Sequence, residues 1–273
     1  MFCKKCNSQI KEGSRFCTYC GSPVGESYTE QETPASFSEN WSNHDTTLNY
    51  KIFGGSFPAV SIRLNPNESI YTQSGGMTWM DTGITMETNM QGGFMKGLGR
   101  MLSGESLFMA TYTSHAPNQE IVIASSFPGC ILDIDVGHCP IIAQKSAFLC
   151  AQTTVNLGTY VARGLRAGLF GGEGFVLQRL SGTGIAFIEI DGSLVERTLG
   201  PGETIKVDTG NVAAFEETVQ YQAEMVKGFK NILFGGEGLF LTTLTGPGKV
   251  WLQTMSMPEF AKSIIPYLPR SSG

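Results

Sequence analysis

Residues 227–240 read KGFKNILFGGEGLF. The same arrangement of a basic residue, glycines, a Gly-Glu pair and apolar residues recurs at residues 163–176, as RGLRAGLFGGEGFV. A fainter third copy spans residues 96–108, as KGLGRMLSGESLF. Self-similarity at a spacing of tens of residues is typical of a chain that is built from repeated structural units. The sequence therefore predicts a triplication.

A second repeated segment supports the same interpretation. Residues 66–75, 128–137 and 201–210 each begin with a proline, continue as a short alternating stretch and end in a glycine. This pattern is typical of a turn followed by a strand. We therefore expect a triplicated domain over residues 48–265, with units of about 48–114, 115–182 and 183–257, and a C-terminal tail at 266–273.

The composition favours β structure within these units. Charged residues make up only 16% of the chain, and 34 of its 273 residues are glycine. Alternation of apolar and polar residues predicts strands over six segments, which are residues 59–64, 106–112, 120–124, 175–180, 185–190 and 250–253. Turns are expected at 181–184, 191–192 and 245–248. A helix is predicted only over 258–265, where Pro266 ends it. The expected fold class is all-β, with three small sandwich-like or roll-like units.

Four cysteines lie close together at the N-terminus. Cys3, Cys6, Cys17 and Cys20 form two CxxC pairs, and four thiolates at this spacing can close a tetrahedron around zinc. The alternatives are two disulfides or a redox-active CxxC. We predict a structural Zn²⁺ ribbon over residues 1–24. Since the four thiolates leave no open coordination position, this zinc is not expected to be catalytic.

Residues 25–47 contain five acidic residues and no lysine or arginine. Such a stretch buries too little apolar surface to offset its ordering entropy, so we predict a flexible acidic linker. Phe37 and Trp41 either dock on a neighbouring surface or stay exposed. The N-terminus lacks the apolar core of a signal peptide, and no apolar run reaches the roughly 18 residues that span a bilayer. These features predict a cytoplasmic protein.

The GGEGLF, PGETIKVD, TGPGKVWLQTM and GESLF segments resemble a bacterial family that is related to the altered inheritance of mitochondria protein 24 family. The resemblance covers about residues 48–265. It implies three tandem domains of the tryptophan RNA-binding attenuation protein-like (TRAP-like) fold, in a pseudo-threefold arrangement with strands exchanged between neighbours. It also implies self-association and no assigned enzymatic activity.

Glu105, Glu173 and Glu237 occupy one position in the three glycine-rich copies. If these carboxylates converged, they could hold a cation. The alternative, which we favour, is that each glutamate accepts hydrogen bonds from its own loop.

The sequence offers two further candidates, a second thiol or metal site and a contact surface. The thiol or metal site would draw on His138, Cys130, Cys139 and Cys150, but cysteines at strand positions are more often buried structural residues. The other two histidines are not part of it, because His44 lies in the linker and His115 has no partner at ligand spacing. The contact surface comprises the basic and apolar residues of the glycine-rich loops, namely Met95, Lys96, Leu98, Arg100, Met101, Leu102, Lys227, Phe229, Lys230, Ile232, Leu233 and Phe234. They either plug the ends of the β units or meet a membrane surface or a partner.

The sequence contains no nucleophile elbow, phosphate-binding loop or HExxH motif, so no catalytic residue is assigned. The formal net charge of −5 argues against nucleic acid as a partner. We therefore predict a non-enzymatic, self-associating β scaffold with a zinc-ribbon head. Its partners would be copies of itself (a trimer among the options), an unknown protein and a peripheral membrane surface. The alternative is a TRAP-like module that binds a ligand or RNA.

Overall fold

The computed structural model describes residues 2–3, 8–9, 48–73, 76–90, 108–160, 176–225 and 240–268. The chain divides into two compact units, residues 1–39 and 40–273. In the first unit, the described residues form one antiparallel bridge, between Phe2 and Gln9.

The described residues of the second unit form strands, three short 3-10 turns and one short helix. Its first seven strands are β1 (Asn49–Phe53), β2 (Ala59–Leu64), β3 (Ser69–Gln73), β4 (Met77–Met80), β5 (Ile84–Met90), β6 (Phe108–Ser114) and β7 (Gln119–Ala124). The next six are β8 (Gly129–Asp135), β9 (Ile141–Gln144), β10 (Phe148–Gln152), β11 (Val155–Tyr160), β12 (Leu177–Gly182) and β13 (Ile185–Asp191). The last six are β14 (Leu194–Leu199), β15 (Thr204–Asp208), β16 (Val212–Glu216), β17 (Gln220–Met225), β18 (Phe240–Thr245) and β19 (Gly248–Gln253).

The strands form four antiparallel sheets. We name them sheet A (order β1-β2-β7-β4), sheet B (β5-β6-β3-β10-β13-β8), sheet C (β11-β12-β9-β16-β19-β14) and sheet D (β15-β18-β17). The order of sheet C is the order of sheet B with every strand moved six places along the chain. Sheets A and D follow the same rule. A move of six places carries β2-β7-β4 of sheet A onto β8-β13-β10 of sheet B. The same move carries β11-β12-β9 of sheet C onto β17-β18-β15 of sheet D.

Three hydrophobic clusters hold the sheets together. The first combines residues of sheets A and B, the second residues of sheets B and C, and the third residues of sheets C and D. Strand β13 shows how one sheet serves two clusters: Ile185 and Phe187 lie in the first, whereas Ala186 and Ile188 lie in the second. Since successive side chains of a strand point to opposite faces, sheet B is buried on both faces here.

The predicted fold class, all-β, is confirmed. The six predicted strands correspond to β2, β6, β7, β12, β13 and β19, with ends that shift by up to two residues. The turn between β12 and β13 contains two glycines in the left-handed region, Gly182 at φ +108° and Gly184 at φ +114°. A side chain there would be strained, which explains the glycines.

The predicted C-terminal helix is also confirmed. Helix α1 spans Met257–Ile264, and a 3-10 turn over Ile265–Tyr267 follows it. Pro258 stands in the first turn of the helix, where its missing N–H has no helical partner to lose. The predicted linker, residues 25–47, lies outside the described residues.

Candidate functional site

The N-terminal candidate metal centre is represented in the structure by Cys3. This residue is buried, and its backbone N–H donates a hydrogen bond to the carbonyl oxygen of Ser8 across 2.9 Å. Together with the bridge between Phe2 and Gln9, this bond brings the chain back alongside Cys3. Residues 2–3 and 8–9 therefore run side by side in opposite directions.

The donor set agrees with zinc. Cys6, Cys17 and Cys20 lie outside the described residues. Thiolate sulfur is the ligand that structural zinc sites use most, and two CxxC pairs supply four of them. Cys3 fits this role, because it is buried in a segment that is too short to form an extensive core. The four cysteines would then hold the ion and supply no reactive position.

No second metal centre is formed by the described residues, in which no cluster of three or more His, Cys, Asp or Glu residues suits a metal ion. The Nε2 atom of His115 lies 2.8 Å from the Thr85 hydroxyl, and His138 Nε2 lies 3.5 Å from Asp135 Oδ2 on the surface. His44 lies outside the described part of the chain, as do the three glutamates of the glycine-rich copies. The cation hypothesis for Glu105, Glu173 and Glu237 stays a prediction.

The described cysteines outside the ribbon occupy separate environments. Cys150 is fully buried in the first cluster, Cys130 borders the second, and the Cys139 thiol contacts the carbonyl oxygen of Pro140. Burial raises the pKa of all three thiols, and for Cys150 the negative charge of Glu189 adds to this effect. A raised pKa favours the protonated thiol, which is a weak nucleophile and a weak metal ligand. Burial and the raised pKa favour the interpretation of these three cysteines as structural residues.

The glycine-rich copies connect strands that pair with each other. Residues 91–107, which include the first copy except for its last residue, lie between the paired strands β5 and β6. The second copy lies between β11 and β12, and the third between β17 and β18. All three are therefore hairpin connections at corresponding places in the strand order. Their basic and apolar residues lie outside the described residues, apart from Phe108, Val176 and Phe240 at the flanks, so the choice between a plug and a contact surface stays a prediction.

Sequence reasoning missed a feature of strands β4 and β15, which lie at the edges of sheets A and D. Trp79 on β4 is 50% exposed, and its ring lies 6.4 Å from that of Phe53. An exposed tryptophan on a sheet edge is typical of a contact surface. The signal in the sequence is short: Met77, Thr78, Trp79 and Met80 form an uncharged strand immediately after a pair of glycines.

The end of the described chain exposes a second apolar surface. Helix α1 and the residues after it present Phe260, Ile264, Ile265, Tyr267 and Leu268 to solvent. Glu259 and Lys262 accompany them on the helix. No helix in the described part of the chain has the length and apolar character to cross a bilayer.

Comparison with known proteins identifies the family. A model of the mitochondrial biogenesis AIM24 family matches residues 50–255, and a zinc-ribbon domain model matches residues 2–24. An uncharacterised protein of Streptococcus pyogenes serotype M6 is 29% identical over 224 residues, which is 79% of this chain and 89% of that protein. The mitochondrial altered inheritance of mitochondria protein 24 of Verticillium alfalfae is 24% identical over 180 residues, 64% of this chain but 46% of that protein.

A solved structure agrees with these matches. The crystal structure of a Streptococcus pyogenes protein superimposes with a TM-score of 0.68 and 25% sequence identity, and the match covers 81% of this chain and all of that one. The expected resemblance is thereby confirmed. The chain belongs to the mitochondrial biogenesis AIM24 family and carries a zinc-ribbon domain at its N-terminus.

Proposed function

We propose that the protein is a non-enzymatic, self-associating β scaffold that acts through protein contacts, with the zinc-ribbon domain as an additional contact module. One observation carries this proposal. The same kind of antiparallel edge pairing occurs twice within the chain and completes a six-stranded sheet each time. Strand β10 pairs with β3 to complete sheet B, and β16 pairs with β9 to complete sheet C. An element that completes its neighbour's sheet is suited to assembly, because edge pairing supplies main-chain hydrogen bonds without needing a pocket.

The strand order also supports three tandem units. Moving six strands along the chain carries the order of sheet B onto that of sheet C. The units that follow from this order are residues 59–124, 129–191 and 194–253, which begin later than the bounds of about 48–114, 115–182 and 183–257 expected from the sequence. On this basis the segments 66–75 and 201–210 correspond, since they contain β3 and β15. The segment 128–137 contains β8, which has a different place in the order, so its alignment with the other two was wrong.

The test of this function measures mass and partners with the full chain. Light scattering coupled to size exclusion, across a range of protein concentrations, should give a mass above the 29.5 kDa of one chain. A monomer at every concentration would contradict self-association. An affinity pull-down with the full chain and with a variant lacking residues 1–47 tests the contact role of the zinc-ribbon domain. The same bound proteins in both samples would exclude that role.

Contact with a membrane surface is a second option, favoured by the apolar surface of the C-terminal helix. Ile265 and Tyr267 are exposed and are the first and last residues of the 3-10 turn after α1. Flotation with liposomes should recover the wild type, and a variant with Ile265→Ser and Tyr267→Ser should stay at the bottom. Phe57→Ser removes an exposed ring from the turn before β2 and serves as the control. If all variants behave alike, the helix is not a membrane contact. The alternative of a ligand- or RNA-binding module stays a prediction.

A further inference from the structure

Strands β4 and β15 each have one edge without a strand partner in the described part of the chain. Within the described pairings, β4 pairs only with β7 at the edge of sheet A, and β15 pairs only with β18 at the edge of sheet D. Unpaired edges expose backbone N–H and C=O groups that can bind another strand. Proteins commonly protect such edges with charges, prolines or a covering element.

Inside the chain, the strands that correspond to β15 and β4 pair with each other at two junctions. These junctions are the pairing of β3 with β10 in sheet B and the pairing of β9 with β16 in sheet C. At the first junction, Thr72, Tyr71 and Ile70 of β3 lie opposite Cys150, Ala151 and Gln152 of β10. At the second, Ala143, Ile142 and Ile141 of β9 lie opposite Ala214, Phe215 and Glu216 of β16. Both junctions have the same register. Strand β15 stands where β3 and β9 stand, and β4 stands where β10 and β16 stand.

A register shift that β4, β10 and β16 share identifies the residues of β10 and β16 that correspond to Trp79. The pairing of β4 with β7 shifts register between Met77 and Trp79. The pairing of β10 with β13 shifts between Phe148 and Cys150, and that of β16 with β19 between Val212 and Ala214. Trp79 therefore corresponds to Cys150 and Ala214. Since the two counterpart strands carry the irregularity and still pair on their other side, it does not protect the β4 edge.

Exposure differs sharply between these positions. Cys150 is 0% exposed and Ala214 is 1% exposed at the internal junctions, whereas Trp79 is 50% exposed. The opposite edge shows the same contrast, because Ile70 and Ile141 are buried and their counterpart Ile205 is only partly buried. Positions that are buried at the two internal junctions are thus exposed on β4 and only partly buried on β15.

The charges on the two edges are compatible with pairing. Strand β4 carries no charged residue. Lys206 on β15 forms an ion pair with Glu224 on β17, with Nζ 3.0 Å from Oε1, so it does not present a lone charge to an incoming strand. Asp208 accepts a hydrogen bond from the backbone N–H of Gly210 in the following turn.

We propose that the β15 edge of one copy pairs with the β4 edge of a second copy, in the register of the internal junctions. Met80 then lies opposite Lys206 of the second copy, Trp79 opposite its Val207, and sheets D and A join into one seven-stranded sheet, in which β1 is the additional strand. The occupant is a second copy because both edges belong to one chain and yet have no strand partner among its described residues. The contact joins different surfaces of the two copies, so it produces a ring or a continuing series. This inference rests on the proposed self-association and specifies its surface.

Cysteine cross-linking between two single variants tests the register. Full-length Met80→Cys and Lys206→Cys proteins are mixed and mildly oxidised, because opposite residues of paired strands are close enough for a disulfide. A disulfide-linked heterodimer that peptide mapping assigns to residues 80 and 206 supports the proposal. Met86→Cys, exposed on β5, replaces Met80→Cys in the control and should give no such product. A heterodimer absent from both mixtures, or equal in the two, overturns the register.

A second measurement separates the failure of this surface from the failure of self-association. Trp79→Lys and, on the opposite edge, Lys206→Glu are compared with wild type by light scattering, with Phe57→Lys as the control. We expect Trp79→Lys to need at least about tenfold more protein to assemble, as is usual for a buried tryptophan anchor. Unchanged assembly of both edge variants overturns the proposed surface but not self-association. A wild type that is monomeric at all concentrations overturns both.

Discussion

The hydroxyl of Tyr50 donates a hydrogen bond to Asp133 Oδ2 across 2.5 Å, and so connects β1 of sheet A with β8 of sheet B. The tyrosine ring is buried and stands edge-on to Phe187, with ring centroids 4.9 Å apart. This side chain therefore ties two sheets together through both its ring and its hydroxyl. Its position in the first strand makes the start of the β region part of the first cluster.

Tyr50→Phe tests the contribution of the hydroxyl alone. The ring contacts remain, while Asp133 loses a donor, so we expect the free energy of unfolding to fall by about 1 kcal/mol. Denaturant unfolding measures this change. Asp133→Asn keeps an acceptor oxygen and should cost less than Tyr50→Phe. A loss of several kcal/mol in Tyr50→Phe would show that the hydroxyl has another role.

Gly129→Ala tests a close backbone contact between β8 and β13. A Cβ at residue 129 would stand 1.8 Å from the carbonyl oxygen of Ile190. Since both atoms belong to a paired strand, the backbone must shift, and we expect a loss of about 1–3 kcal/mol in unfolding free energy. Gly200→Ala is the matched control, because its nearest neighbour would be a glutamate oxygen at 3.7 Å. Equal melting temperatures for the two variants would contradict the prediction.

Glu189 predicts a pH dependence of stability. Burial raises the pKa of this carboxyl, against the opposing effect of hydrogen bonds from Ser125 Oγ and Ser126 N, while the charge of Asp191 raises it further. Between the ordinary glutamate pKa and the raised one, the native state holds more protons than the unfolded chain. The free energy of unfolding therefore falls as pH rises through this window. Glu189→Gln should remove this part of the pH dependence. The free energy of unfolding of the variant should therefore rise relative to that of the wild type as pH increases through this window.

Glu217→Gln provides a comparison of opposite sign. The hydrogen bonds from Arg179 lower the pKa of Glu217, with Nε 2.6 Å from Oε1. This pair stabilises the fold above the ordinary glutamate pKa and loses its effect as pH falls through the lowered one. Because the pair is well exposed, its removal should cost only about 0.2–1 kcal/mol at neutral pH. Denaturant unfolding at a series of pH values measures Glu189→Gln and Glu217→Gln. If both substitutions change the slope of the unfolding free energy against pH in the same direction, the opposite pKa shifts of the two glutamates are contradicted.

The zinc-ribbon domain predicts one zinc per chain. Metal analysis of the purified protein should give this stoichiometry, and Cys17→Ser should abolish it because three thiolates hold zinc more weakly than four. Cys139→Ser removes a thiol of the β region and should leave the zinc content unchanged. Loss of zinc in the Cys139 variant, or its retention in the Cys17 variant, would place the metal elsewhere.

The sequence alone determined much of the local structure. Alternating residues located strands such as Ala59–Leu64, and glycines marked the turn between β12 and β13 because only glycine adopts a positive φ without strain. The short helix at the C-terminus followed from its helical pattern. The CxxC pairs indicated a zinc ribbon, and a zinc-ribbon domain model matches residues 2–24. These features depend on spacings of a few residues, which a single sequence displays.

Only the tertiary structure decided which strands lie next to each other. The pairing of Tyr71 with Ala151 joins residues far apart in the chain, and no local pattern encodes such a partner. In the strand order proposed above, the segment 128–137 takes a different place from 66–75 and 201–210. The same limitation accounts for this, since a proline-led turn and an alternating stretch recur in more than one place in that order. Trp79 was missed for a related reason. Its significance is that its counterparts Cys150 and Ala214 are buried by neighbouring strands while it is exposed, and long-range pairing alone creates that contrast.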